Sequence, residues 1–146
     1  MSDTPTCVPY VACRAPNAMV STVDHLASAA GLRVLSAGGS AVDAAIAANA
    51  VLSVTLPNQC GLGGDLFALV HQTGEDPVAL NASGRSGSGA DPVALRDRGY
   101  QAMPSREAPA VTVPGCVDGW LALHQRFGQL ELARLLAPAS PEDPMD

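Results

Sequence analysis

The stretch SAGGSAVDAAIAANAVLSV, residues 36–54, contains one charged residue, two adjacent glycines and a large share of alanine and serine. Ser40 followed three residues later by Asp43 is the spacing of a capping box, in which side chain and backbone bond reciprocally at a helix start. We expect this helix to run to about Thr55 and to stop before Pro57. Because it is apolar nearly all round, with Ala45 and Ala48 among its small residues, the pattern predicts a helix covered from more than one side.

A first helix precedes this one. Leucine, alanine and valine recur at helical spacing over residues 25–37, with Thr22 or Asp24 available as the N-cap, Gly38 and Gly39 at the end, and Leu26, Ala30, Val34 and Leu35 on the predicted inner face. Residues 19–21 are a possible short strand.

Two apolar strands follow the alanine-rich helix. Residues 66–71 form a continuous apolar run, typical of a strand covered on both faces, and residues 78–81 pair back across a turn. The glycine loop before them is not a dinucleotide fingerprint, because Leu66 occupies the last glycine position and a strand follows it. We interpret Gly61, Gly63 and Gly64 as turn glycines rather than as a phosphate cradle.

The remaining elements are short. Asp91 and Pro92 are typical of the start of a helix, and residues 108–115 indicate a loop and a strand. Two more helices are predicted, over residues 116–127, ended by Gly128, and over 130–137. The order of helices, hairpin and helices predicts an α+β layer arrangement.

Composition narrows the functional classes. The chain has 146 residues, a formal net charge of −6 and only 3% aromatic residues, with no cluster of lysine or arginine. This charge disfavours nucleic acid or an anionic membrane as partner. The N-terminus has no cationic start and no long apolar run, so we see no signal peptide and expect a cytoplasmic protein.

Nothing in the sequence predicts a metal or another cofactor. The cysteines, at positions 7, 13, 60 and 116, form no CxxC pair, and the three histidines share no ligand spacing with them. Free thiols are the expected state in a reducing compartment. We expect Cys60 to be a buried, inert thiol, and Asp43 to serve as a helix cap rather than as a catalytic group.

Several motifs occur together in a familiar order. They are MVST at 19–22, HLASAAGLRVLSAGGSAVDAAIA at 25–47, GLGGD at 61–65, LNASGR at 80–85 and VPGCVDGWLALHQRFGQLELARLLAPA at 113–139. Together they closely resemble the start of the gamma-glutamyltranspeptidases, and most of all their bacterial gamma-glutamyltransferase-like branch. Ser40 stands where the usual pattern has Asn, and either residue can cap a helix.

The resemblance implies a fold and an activity. It implies part of an N-terminal-nucleophile hydrolase, a four-layer αββα sandwich whose two sheets are covered by helices. Members of the family move the gamma-glutamyl group of glutathione or similar compounds to water or to an amine. They do so through a covalent intermediate on a threonine that self-cleavage frees, with its own α-amine as base.

The resemblance also implies one substrate-binding residue. Arg85, in NASGR, stands where the family has the arginine that grips the α-carboxylate of the glutamyl group, a task to which guanidinium is well matched. The spacing after it differs from that of many members. The alternatives are a solvated loop arginine, and Arg106 as the anchor instead.

The family's threonine is not visible in this chain. Thr55, Thr73 and Thr112 lie in none of the expected contexts, so we expect the chain alone to be inactive and to need the missing C-terminal large-subunit and small-subunit portions as partners. We divide it into an irregular segment at 1–18, a large-subunit portion at 19–139 and an acidic tail at 140–146. The alternative is a non-catalytic remnant that acts as a small binding or interaction module.

Overall fold

The structure is a computed structural model that describes residues 13–140. Most of the predicted N-terminal segment and nearly all of the acidic tail lie outside that range. The elements, in chain order, are α1 (His25–Ser36), α2 (Ala41–Thr55), β1 (Leu66–Val70), β2 (Val78–Ala82), α3 (Pro92–Asp97), α4 (Cys116–Phe127) and α5 (Leu132–Leu136), with 3-10 turns at Ala108–Ala110 and Ala137–Ala139.

The first helix has Asp24, one of its two predicted N-caps, at its start. The Asp24 carboxylate accepts hydrogen bonds from the backbone N–H groups of Leu26 and Ala27, and α1 ends at Ser36, two residues before Gly38. Its buried face consists of Ala27, Ala30, Gly31 and Val34. The prediction was wrong for Leu26, which is exposed because the face that meets α2 uses the smaller residues.

The predicted capping box at the start of α2 is confirmed. The Ser40 hydroxyl accepts from the Asp43 N–H at 3.0 Å, and Asp43 Oδ2 accepts from the Ser40 N–H at 2.8 Å. Burial around this helix is less complete than predicted, because Ala41, Ala45 and Val54 are exposed. The α1, α4 and α5 helices all contact α2, and these three positions stay open in the described part of the chain.

The two strands form an antiparallel hairpin in the predicted place. Leu66 pairs with Ala82 and Val70 with Val78. The expectation that the first strand is covered on both faces is wrong for the described residues. Its alternate side chains pack on the helices, whereas Phe67 and Leu69 on the other face are 66% and 74% exposed.

The core lies between the hairpin and the helices. Its larger cluster joins α1, α2, α4 and α5 to the inner face of the hairpin, and its buried members are Val34, Val42, Ala44, Ile46, Ala47, Ala50, Cys116, Trp120, Leu123 and Leu135. A smaller cluster of Ala27, Ala30, Ala48, Val51 and Leu52 seals α1 against α2. The Trp120 indole N–H donates to Asn49 Oδ1 at 2.9 Å, which satisfies the one polar atom of that ring.

Three other elements differ from expectation. Residues 19–21 form no strand, and residues 108–115 contain the 3-10 turn at Ala108–Ala110 and an isolated bridge from Thr112 to Ser86 in place of the predicted strand. The last helix, predicted over 130–137, begins only at Leu132, and at its other end Pro138 lies in a 3-10 turn that follows Leu136. Within residues 13–140, no helix is long and apolar enough to cross a membrane.

Asp43 connects distant parts of this fold. Its side chain is fully buried, and besides capping α2 its Oδ2 accepts backbone N–H bonds from Gln129 at 2.9 Å and Leu130 at 3.3 Å. These two residues lie between α4 and α5. Asp43 thus fixes the α4–α5 connection to the start of α2, which confirms a structural cap and extends it.

We predict that Asp43→Ala destabilises the chain far more than Ser40→Ala. The serine change removes one cap bond, typically worth about 0.5–2 kcal/mol. The aspartate change deprives three backbone N–H groups of their acceptor, each at about 1–3 kcal/mol where it stays buried. Urea unfolding followed by circular dichroism measures both. Equal losses would show that the contact with residues 129–130 contributes nothing.

A second prediction uses two alanines of α2. Ala47 is fully buried, whereas Ala45 is exposed on the same helix. Ala47→Leu overpacks the core and lowers the free energy of unfolding by about 1–3 kcal/mol. Ala45→Leu is the matched control and leaves it nearly unchanged. Thermal unfolding of both variants is the measurement, and a stable Ala47→Leu protein would contradict the close packing around α2.

Candidate active site

Arg85 lies in the loop that follows β2, next to the segment that precedes the α4 helix. The loop is fastened to the segment just before α4. The Val113 N–H donates to the Arg85 carbonyl at 2.8 Å, and the Thr112 hydroxyl donates to the Ser83 carbonyl at 3.2 Å. These bonds hold the backbone of the loop and leave the Arg85 side chain exposed.

Two glycines allow these segments to approach so closely. Gly84 has a φ of +78°, and a Cβ there would lie 1.9 Å from the Val113 carbonyl oxygen. A Cβ on Gly115 would lie 2.1 Å from the carbonyl oxygen of Ala82. Backbone therefore packs on backbone at both points, and the glycines of NASGR and VPG are required for the shape of the site.

A cleft of about 770 Å³ opens beside this loop. That volume lies within the range of small-molecule sites, roughly 300–1,000 Å³. Its described lining comes from the end of β2, the Arg85 loop, the segment before α4 and one face of α4: Leu80, Asn81, Ala82, Ser83, Gly84, Arg85, Val113, Pro114, Gly115, Asp118, Gly119 and Ala122. Arg85, the binding residue that the sequence predicted, thus lies at the edge of a cavity.

Only two of the described lining residues carry a formal charge. They are Arg85, from the β2 loop, and Asp118, from the first turn of α4. Both are exposed, and neither forms an ion pair with any described residue. The sequence analysis did not find Asp118, because an acidic residue in the first turn of a helix is also the ordinary complement of the helix dipole.

The other charged candidate lies elsewhere. Arg106 is exposed on the approach to the 3-10 turn Ala108–Ala110 and does not line the Arg85 cleft. The three threonines considered above are scattered, Thr55 at the end of α2, Thr73 in the hairpin turn and Thr112 on the bridge to Ser86. No group of three or more metal-binding side chains occurs in the described range.

The glycine loop before β1 has a structural role. The Gly64 N–H closes a turn onto the Gly61 carbonyl at 3.1 Å, and the Gly64 carbonyl accepts the N–H groups of Gly115 and Cys116. The loop therefore presents a carbonyl to the start of α4. This contact supports the interpretation of these residues as turn glycines.

A smaller cavity of about 210 Å³ beside this loop is lined by both Cys60 and Cys116. Cys60 is only partly buried, which corrects the expectation of a buried thiol there, and among the cysteines within residues 13–140 the buried one is Cys116. Burial raises the pKa of the Cys116 thiol above its ordinary value, and the nearby Cys60 and Asp65 raise it further. Cys116 is accordingly held as a neutral thiol, a poor nucleophile.

Comparison with known proteins identifies the class of protein. The family model for gamma-glutamyltranspeptidase matches residues 27–141, which is most of the chain. The chain therefore belongs to the gamma-glutamyltranspeptidase family, and its helices and antiparallel hairpin are part of an N-terminal-nucleophile hydrolase fold.

Individual relatives differ in their named activities. The chain is 46% identical to the glutathione hydrolase-like YwrD proenzyme of Bacillus subtilis over 83% of its own length and 23% of that protein. It is 42% identical to the oxamate amidohydrolase proenzyme of Klebsiella pneumoniae, over 79% of the chain and 22% of the relative. The chain thus spans about a quarter of the length of these curated relatives.

A solved structure agrees with the fold. The cephalosporin acylase from Bacillus halodurans superimposes with a TM-score of 0.79 at 42% identity, covering 95% of this chain and 27% of the acylase. The helices and hairpin of this chain therefore occur together in the same arrangement inside a larger enzyme.

We predict that Gly84→Ala disturbs the Arg85 loop, whereas Gly87→Ala does not. The first change adds a Cβ that meets the Val113 carbonyl and occupies a left-handed backbone conformation, a strain of about 1–3 kcal/mol. A Cβ on Gly87 meets nothing within 4 Å. Urea midpoints of both variants test this, and equal midpoints would mean that the loop is not packed on Val113.

Proposed function

We propose that this chain is the carboxylate-binding part of a gamma-glutamyl transferase or hydrolase. The observation that carries the proposal is Arg85, on a loop braced by backbone contacts, beside a cleft of ligand size and without an ion-pair partner among the described residues. A guanidinium left free in this way can bind a carboxylate through two parallel charge-assisted bonds.

The chemistry requires a second part that this chain does not supply. A threonine outside residues 1–146 attacks the gamma-carbonyl carbon of a glutathione-like donor, with its own α-amine accepting the proton. The amide C–N bond then breaks and the amine leaves with that proton. Water or a second amine attacks the resulting ester, which releases glutamate or a new gamma-glutamyl amide and frees the threonine.

The role of Arg85 in this scheme is to bind and orient the donor. A carboxylate held at one end of the glutamyl group limits where the gamma-carbonyl can lie, because only three carbons separate the two groups. Such positioning lowers the barrier of the acyl transfer because the reacting carbon is already placed near the nucleophile.

The test needs a complete enzyme. The N-terminal portion of the YwrD proenzyme is replaced by this chain, and hydrolysis of a gamma-glutamyl anilide is followed, with the 146-residue chain alone as the negative control. Arg85→Ala should lower kcat/KM roughly ten- to a hundredfold, because one charged hydrogen-bonding partner is worth about 1.5–3 kcal/mol. Arg85→Lys should recover little, since a point charge lacks the planar fork.

Arg106→Ala is the matched control for this variant. It removes the same charge from another exposed loop position that does not line the cleft, and it should leave kcat/KM unchanged. Unchanged kinetics in Arg85→Ala, or a loss only in Arg106→Ala, would move the anchor away from Arg85. A chimera that matures but turns over no gamma-glutamyl donor would favour the alternative, a non-catalytic binding module.

A further inference from the structure

Two cysteines that are far apart in the sequence line one small cavity. Cys60 belongs to the loop that follows α2, and Cys116 is the first residue of α4. The cavity has a volume of about 210 Å³, and both residues are free thiols. The tertiary structure therefore brings together two groups that can be oxidised to a disulfide.

Backbone hydrogen bonds hold the two segments against each other. The Gly64 carbonyl accepts the Gly115 N–H at 3.2 Å and the Cys116 N–H at 3.0 Å. The Gly64 N–H closes a turn onto the carbonyl of Gly61 at 3.1 Å, and Gly61 directly follows Cys60 in the chain. One short turn thus separates Cys60 from the residue that is bonded to the backbone of Cys116.

The two thiols differ in accessibility. Cys60 is partly buried and so can be reached from solvent, whereas Cys116 is only 3% exposed and its thiol donates to Asn49 Oδ1 at 3.9 Å. Burial raises the pKa of the Cys116 thiol most, and the nearby Cys60 raises it further. A neutral thiol is a poor nucleophile, so Cys60 is the residue that an external reagent meets first.

A metal centre does not account for this pair. Within residues 13–140, no group of three or more histidine, cysteine, aspartate or glutamate side chains could hold a metal ion. Two thiols without further ligands remain available for thiol–disulfide chemistry.

We propose that Cys60 and Cys116 are a redox pair that a low-molecular-weight disulfide oxidises to an intramolecular disulfide. The Cys60 thiolate attacks one sulfur of the small disulfide, whose S–S bond breaks and releases one small thiol. Cys116 then loses its proton to solvent and attacks the Cys60 sulfur of the mixed disulfide, which releases the second small thiol. Two protein thiols and one small disulfide thus become one protein disulfide and two small thiols.

The new bond would connect the glycine loop to the first residue of α4. Gly115, which precedes Cys116, packs on the Ala82 carbonyl and lines the Arg85 cleft, so the disulfide would fasten one wall of that cleft. A disulfide that closes a long loop stabilises a protein mainly by restricting its unfolded chain. For a chain of this size we expect Tm to rise by roughly 5–15 °C on oxidation.

The test uses the full 146-residue chain with Cys7→Ser and Cys13→Ser, which leaves only the two cysteines of the pair. The protein is equilibrated in mixtures of glutathione and glutathione disulfide, and mass spectrometry after thiol trapping measures the fraction of intramolecular disulfide. The same measurement is made in urea. We expect the equilibrium constant for oxidation to be at least about tenfold larger in native buffer, because the fold holds the two thiols together.

Two single-cysteine variants in the same background identify the order of the steps. Cys116→Ser should stop at a mixed disulfide with glutathione on Cys60. Cys60→Ser should leave the buried Cys116 unmodified in native buffer. The comparison of native buffer with urea uses a protein that keeps both cysteines, so it does not depend on the folding of either variant.

Three results would overturn the proposal. They are an equilibrium constant no larger in native buffer than in urea, a mixed disulfide that persists on Cys60 while Cys116 stays free, and disulfide-linked dimers as the main product. The chain with all four cysteines gives an independent check. Digested without reduction after oxidation, it must yield the peptide pair that joins Cys60 to Cys116, and a different pairing would count against the proposal. None of these results depends on the role of Arg85.

Discussion

The fold depends on one buried carboxylate. Asp43 Oδ2 accepts the N–H groups of Ser40, Gln129 and Leu130, and so joins the start of α2 to the connection between α4 and α5. Uncompensated backbone N–H groups are costly in a protein interior, so this shared acceptor restrains all three segments together. The placement of α4 in turn sets Gly115 against β2 and gives the Arg85 cleft its far wall.

The outer face of the hairpin is apolar but exposed. Phe67 and Leu69 are large, apolar and exposed, whereas their alternates on β1 pack against the helices. In an αββα sandwich a sheet has helices on one face and a second sheet on the other, and this chain spans about a quarter of its curated relatives. A continuous apolar run is typical of a strand that is covered on both faces, whereas the described residues cover only one face of β1.

Local signals predicted much of the fold. The SxxD spacing gave the α2 cap and the Asp91–Pro92 pair gave the start of α3, because both devices act within one turn. The bonds from Asp43 to residues 129 and 130 bridge more than eighty positions, and no local pattern encodes them. Family resemblance alone singled out Arg85 in the sequence. That Arg85 and Asp118 line the same cleft could be seen only in the tertiary structure.

Backbone contacts, and not the charged side chains, hold the walls of the cleft together. Its walls are joined through backbone atoms, from the Val113 N–H to the Arg85 carbonyl and at the Gly84 and Gly115 contacts, and the Arg85 and Asp118 side chains take no part in holding them. Exchange of those side chains therefore costs the scaffold little, since exposed positions away from packed contacts change stability only slightly. Relatives of this chain are named as a glutathione hydrolase-like protein, an oxamate amidohydrolase and an acylase, so proteins with differently named activities share this scaffold.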